Sequence, residues 1–203
     1  MKSFQRVLML PLVALLAAAC VVPAPAKSDQ TIAGVLTSDT GDNPRGFDRD
    51  WYDFDIVTQA VLLFPDLVEA ASDPAAKLTA FLPNDRAFQV LVHDLTGTWY
   101  ESEKAVFDKV AGLGLPTVKT VLTYHLIGSK IPASAALKAN GAELTTLQTG
   151  KITVRVPFRF FPLVILQDQD PNDRDPYVVQ FNYGGVLANG YLHGISAVLR
   201  PVA

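Results

Sequence analysis

Apolar positions in the first half of the chain recur every three or four residues, whereas in the second half they fall in short alternating blocks. Phe54, Val57, Val61 and Phe64 have helical spacing, and Pro65 stops that segment. Lys77 to Leu82 reads as a short strand, and beyond Pro83 the residues Ala87, Phe88, Leu91 and Leu95 share one helical stripe. A further helix runs from a cap at Ser102 through Ala105, Val106, Lys109, Val110 and Leu113 to a stop at Gly114. The next has Pro116 in its first turn and carries Val118, Val121, Leu122, His125 and Leu126 on one face. A small helix from Ala133 to Ala139 closes on Asn140-Gly141.

After Gly141 the period changes. The stretches "AELTTL", "KITVRV", "LVILQ", "YVVQF" and "YLHGISAVL" are rich in aliphatic and aromatic residues and are separated by turn residues. Helices gather in the N-terminal half and strands in the C-terminal half. That segregation predicts an α+β domain with a largely antiparallel β-sandwich, because parallel strands alternate with helices.

Composition adds the cellular context. At 203 residues, 49% hydrophobic and 18% charged, the chain is long enough for one sizeable core. Lys2 and Arg6 precede an uncharged apolar run from Val7 to Leu16 that ends in Ala17-Ala18-Ala19-Cys20. This is the form of an export signal over residues 1–19, too short for a membrane span and followed by Pro23 and Pro25. Cys20, the only cysteine, stands where a bacterial lipobox has its lipidated residue; ordinary cleavage after an Ala-x-Ala site is the alternative. Residues 20–30 then form a tether and 31–203 a single domain. Loss of the signal takes the net charge from −3 to −5, which disfavours nucleic acid.

Three separated motifs resemble the fasciclin (FAS1) domain. In "TAFLPNDRAF", Thr79, Phe81, Pro83, Asp85, Ala87 and Phe88 match the family's strand-to-helix motif, with Asn84 in place of a hydroxyl residue. Tyr124-His125 matches its Tyr-His pair. Asn189, Gly190, His193, Leu199 and Pro201 match its C-terminal motif, where Ser196 replaces an aspartate. The resemblance spans residues 31–202 and implies a secreted or surface-anchored adhesion module. Physically, the first motif reads as a latch: Pro83 breaks the strand, Asn84 or Asp85 caps the helix, and Phe81 and Phe88 are buried on either side of the joint.

Candidate chemistry is sparse. No G-x-S-x-G elbow accompanies Ser134 or Ser196, and His93, His125 and His193 lack any spacing that would join two of them locally. His93 is expected in solvent, and His125 on a buried stripe as a structural residue. The acidic run Asp168 to Asp175 offers calcium-type oxygens but departs from an EF-hand at Asp173 and Val179, and reads as a solvated turn. "PFRFFP" is either a strand bend whose aromatics enter the core or an exposed patch of Phe158, Phe160 and Phe161. Tyr124, about 100° around its helix from His125, is expected near the surface as a binding residue. The expectation is a lipid-anchored extracytoplasmic adhesion or protein-interaction module with no catalysis, cofactor or metal. Its partner would be an extracellular protein, matrix or polysaccharide. The alternative is a binding protein for a small apolar ligand or polysaccharide.

Overall fold

The computed structural model describes residues 28–38, 46–158 and 160–201. The export signal and Cys20 lie outside them. Six helices lead or surround the first strand: α1 (Ile32–Ser38), α2 (Asp55–Leu62), α3 (Pro65–Ser72), then β1 (Leu78–Pro83), α4 (Asp85–Thr96), α5 (Glu103–Ala111) and α6 (Leu115–Tyr124). The strand-rich half follows with β2 (Leu126–Ile127), a short α7 (Ala133–Ala136), β3 (Glu143–Thr145), β4 (Lys151–Arg155), β5 (Ile165–Gln167), β6 (Val178–Tyr183) and β7 (Gly190–Ile195). Pro65 opens α3 at its first turn rather than only closing α2, since the missing amide costs nothing there. Among the described residues no helix is long and apolar enough to cross a membrane.

The strands form two sheets, one ordered β2-β1-β7-β6 and the other β3-β4-β5. All pairings are antiparallel except one: β1 runs parallel to β7 over six residue pairs, from Leu78 beside Gly190 to Pro83 beside Ile195. This ladder joins the first strand to the last, and it explains why every residue of β1 is buried. A strand covered on both faces has no polar face to show.

Two apolar cores result. The side chains of Leu78, Ala80 and Leu82 point with Leu192 to the helices, where Phe54, Ile56, Phe88, Val92 and Val106 meet them. Phe81 and Ile195 face the other way and pack with Ile152, Val154 and Leu166 of the second sheet. In β4 the exposed Lys151 and Arg155 alternate with the buried Ile152 and Val154, as expected of a sheet with one wet face. Close approach of β1 and β7 demands Gly190, since a Cβ there would stand 1.8 Å from Leu78 O. In α4 the buried apolar residues are Ala87, Phe88 and Val92, and Leu95 is 54% exposed. The last residue of the stripe therefore leaves the core and lines an open groove instead.

Candidate functional site

The strand-to-helix joint is a set of backbone and side-chain ties. Thr79 Oγ1 donates to Ser129 O at 2.7 Å and accepts from the Ile131 amide at 2.8 Å. After Pro83 ends β1, Asn84 Oδ1 accepts from the Ala87 amide at 2.9 Å and caps α4. Asp85 reaches elsewhere: its Oδ1 accepts from the Ile56 amide at 2.9 Å, in the first turn of α2. Its own amide donates to Asp53 O, and that of Arg86 to Trp51 O. The joint thus clasps the loop before α2, while Phe81 and Phe88, 1% and 3% exposed, sit in separate cores.

Around Asp85 the fold gathers carboxylates that the sequence scatters. Asp55, Asp85 and Glu103, all buried, bring carboxylate oxygens within 4.8 Å of one another, and Asp48, Asp53 and Asp55 do the same. Glu103 arrives from the first turn of α5, with Oε2 accepting the Arg49 amide at 3.0 Å. Burial first, and neighbouring carboxylates after it, hold Asp53, Asp85 and Glu103 above the ordinary carboxylate range. The only sequence trace of this cluster is the aspartate-rich run before α2, which by itself reads as a polar loop.

Tyr124 is fully buried, contrary to the surface position expected for it as a binding residue. The hydroxyl donates to Lys151 O at 2.7 Å, and burial pushes its pKa up to about 12. The helical wheel separates Tyr124 from the helix-side core correctly, but the flank it points to is covered by the second sheet. His125 is 4% exposed; its Nε2 accepts the Leu199 amide at 2.9 Å, so the ring proton sits on Nδ1 and is donated to Val121 O at 2.7 Å. His193 is likewise buried, with Nδ1 accepting the Asn182 amide and Nε2 donating to Ile131 O. Both rings spend both nitrogens on backbone. His93 is half-buried rather than in solvent and stacks on Trp99 with centroids 4.0 Å apart.

The aromatics of the β4–β5 connection do not enter the core. Phe158, Phe160 and Phe161 are 55%, 96% and 63% exposed at the end of the three-stranded sheet. Pro157 and Pro162 flank them and cannot donate to a strand ladder, so the chain leaves the sheet between Arg155 and Ile165. A second apolar surface is an open groove of about 710 Å³ between α4, α6 and the C-terminal segment, lined by Leu91, Leu95, Leu113, Val121 and Pro201. Within the helix-side core, by contrast, a void beside Phe81, Leu122 and His125 measures only about 30 Å³. The acidic run from Asp168 is organised by Arg200, whose guanidinium lies 3.0 Å from Asp173 and 4.0 Å from Asp170 and whose amide donates to Asp168 Oδ2 at 2.7 Å.

The model of the fasciclin domain matches residues 54–201. Among solved structures, a FAS1 domain pair from the insect cell adhesion molecule fasciclin I is similar in fold. The TM-score is 0.57 at 17% sequence identity, over 84% of this chain and 51% of that one. This chain therefore spans about half the length of that domain pair. No curated protein matches it.

Proposed function

The chain belongs to the fasciclin domain family, and from that premise we propose that it is an adhesion or protein-interaction module held outside the cytoplasm by a lipid on Cys20. Fasciclin domains occur in cell adhesion proteins, the insect molecule among them. In this reading residues 1–19 direct export, 20–30 tether the domain, 31–203 form it, and it performs no catalysis. The observation that carries the proposal is the loop bearing Phe158, Phe160 and Phe161, whose rings are more than half exposed. Hydrating large rings is unfavourable, and a cluster of them between prolines is suited to burial against a protein or matrix partner. Tethering by two or three acyl chains keeps such a patch at the cell surface.

Two experiments test this. Beads coated with the domain are applied to intact cells and to matrix polymers. Replacing Phe158, Phe160 and Phe161 together with serine should abolish binding while the melting temperature holds, because these rings are outside both cores. Binding retained in the triple variant refutes the patch. For the anchor, Cys20→Ser should move the protein from the membrane fraction into the medium, and a variant that remains in membranes refutes lipidation. The alternative reading, a binder of a small apolar ligand, is favoured by the groove of about 710 Å³, a size ordinary for small-molecule sites. A fluorescent fatty acyl probe displaced by Leu91→Glu would support it over adhesion through the phenylalanine loop.

A further inference from the structure

The groove between α4, α6 and the C-terminal segment is apolar along its helices and charged where the second half of the chain borders it. Leu91, Leu95 and Leu113 line it, the last two of them exposed. On α6 the hydroxyl of Thr120 is spent on Pro116 O at 2.9 Å. The remaining polar side chains come from three other segments: Gln148 from the β3–β4 turn, Asp170 from the acidic run and Arg200 from the C-terminal segment. Arg200 Nη1 lies 4.0 Å from Asp170 Oδ2, beyond hydrogen-bond reach, and this oxygen has no other partner among the described residues. Asp170 Oδ1, by contrast, accepts from the Asn172 amide at 2.9 Å and from its side-chain nitrogen at 3.2 Å. Arg200 is already committed elsewhere, because its guanidinium also stands 3.0 Å from Asp173 and 3.6 Å from Asp94. One guanidinium among these carboxylates leaves this corner of the groove negative, and in the same run the exposed Arg174 is offset by Asp175. In keeping with that excess, burial and then Asp168 push Asp173 up to about 6 in spite of Arg200.

We infer that the groove takes a single-chain amphiphile with a cationic head, a long-chain amine, whose alkyl chain covers Leu91, Leu95 and Leu113 and whose ammonium meets Asp170 Oδ2. This rests on the reading of the groove as a small-molecule site and adds to it the chemistry of the head. The chain is favoured because Leu95 and Leu113 are left in water, and covering them removes apolar surface from it. Charge then selects the head. A carboxylate would face Asp94, Asp170 and Asp173, with the one guanidinium beside them already shared among all three. An ammonium brings three donors to an oxygen that no protein group reaches, and hydrogen bonds between charged partners are the strong ones. Asp170 is half-buried at the groove, which lessens the screening that an exposed pair would suffer.

The test uses the full chain and three probes that share an alkyl chain and differ in the head: dodecylamine, protonated at neutral pH, dodecanol and dodecanoate. Each is titrated by calorimetry below its micelle-forming concentration. Dodecylamine should bind one per chain and about tenfold more tightly than dodecanol, the gain of one hydrogen bond between charged groups, with dodecanoate the weakest. Asp170→Asn, which keeps Oδ1 for the Asn172 amide, should bring dodecylamine down to the level of dodecanol and leave dodecanol unchanged. Leu95→Ser, at an exposed position outside both cores, should weaken all three probes. Glu143→Gln, an exposed carboxylate outside the groove lining, should alter none of them. If no probe binds, or if Leu95→Ser has no effect, the small-molecule reading of the groove fails and the inference falls with it. If dodecanol and dodecanoate bind as tightly as dodecylamine, or if Asp170→Asn leaves the preference intact, the groove still takes apolar chains and the inference alone is overturned. A loss of preference in Glu143→Gln equal to that in Asp170→Asn would mean diffuse attraction to an acidic surface and overturns it as well.

Discussion

His125 should make the domain acid-sensitive over a defined interval. Its ring is 4% exposed, and burial lowers its pKa from 6.5 to about 4, only partly opposed by the hydrogen bond to Val121 O. In the unfolded chain the ring takes a proton near pH 6.5, whereas in the folded chain it stays neutral until about pH 4. Its contribution is therefore complete above pH 6.5, declines as pH falls, and is exhausted below about pH 4. A gap of that size corresponds to about 3 kcal/mol in total, of which about 2 kcal/mol is lost between pH 8 and pH 5. Other groups titrate in the same interval. Burial also lowers His193, which adds to the loss, while the raised carboxyls of Asp53 and Glu103 act in the opposite sense. The measurement must therefore be a difference: urea unfolding of the wild type and of His125→Gln, each at pH 8 and pH 5. Glutamine keeps an acceptor for the Leu199 amide without a titrating group. The wild type should lose about 2 kcal/mol more than the variant across this interval. Equal losses would show that His125 is not a buried neutral ring, and the reasoning would fail.

Tyr124→Phe removes only the bond to Lys151 O and should cost about 1 to 3 kcal/mol in urea unfolding, without any change in cell or matrix binding. A binding defect with unchanged stability would restore Tyr124 as a contact residue. Phe88→Ala should cost about 3 to 5 kcal/mol, the range for emptying a buried phenylalanine site, and a thermal melt within error of the wild type would contradict its 3% exposure. Gly190→Ala forces a methyl against Leu78 O and must push β1 from β7. Hydrogen exchange should quicken in both strands together, and protection unchanged in β1 would speak against the parallel ladder.

Local elements were legible because they depend on neighbours in the chain. The helical stripe beyond Pro83, the caps at Asn84 and Ser102, and the change of period after Gly141 each arise within a few residues, and α4, α5 and the C-terminal strands form there. The two-residue β2 is too short to carry a period, and it exists because Thr79 and Ala80 offer an edge for Leu126 and Ile127. The parallel pairing of β1 with β7 was equally hidden, since its partners lie at opposite ends of the domain and no local order of strands and helices announces it.

The same limit governs the site residues. Periodicity tells that Tyr124 and His125 face different ways, not what stands opposite each face. For Tyr124 the answer is the second sheet, through Lys151 and Ile152, and for Leu95 it is open groove. The aromatic loop shows the reverse case: its prolines mark a break in the sheet, but only the tertiary arrangement turned its rings outward. Asp55, Asp85 and Glu103 come from the first turns of three helices, and each is unremarkable where it stands in the chain. Their cluster is a product of packing, which brings three carboxyl groups together at the junction that Asp85 clasps, and one-dimensional patterns carry no record of such convergence.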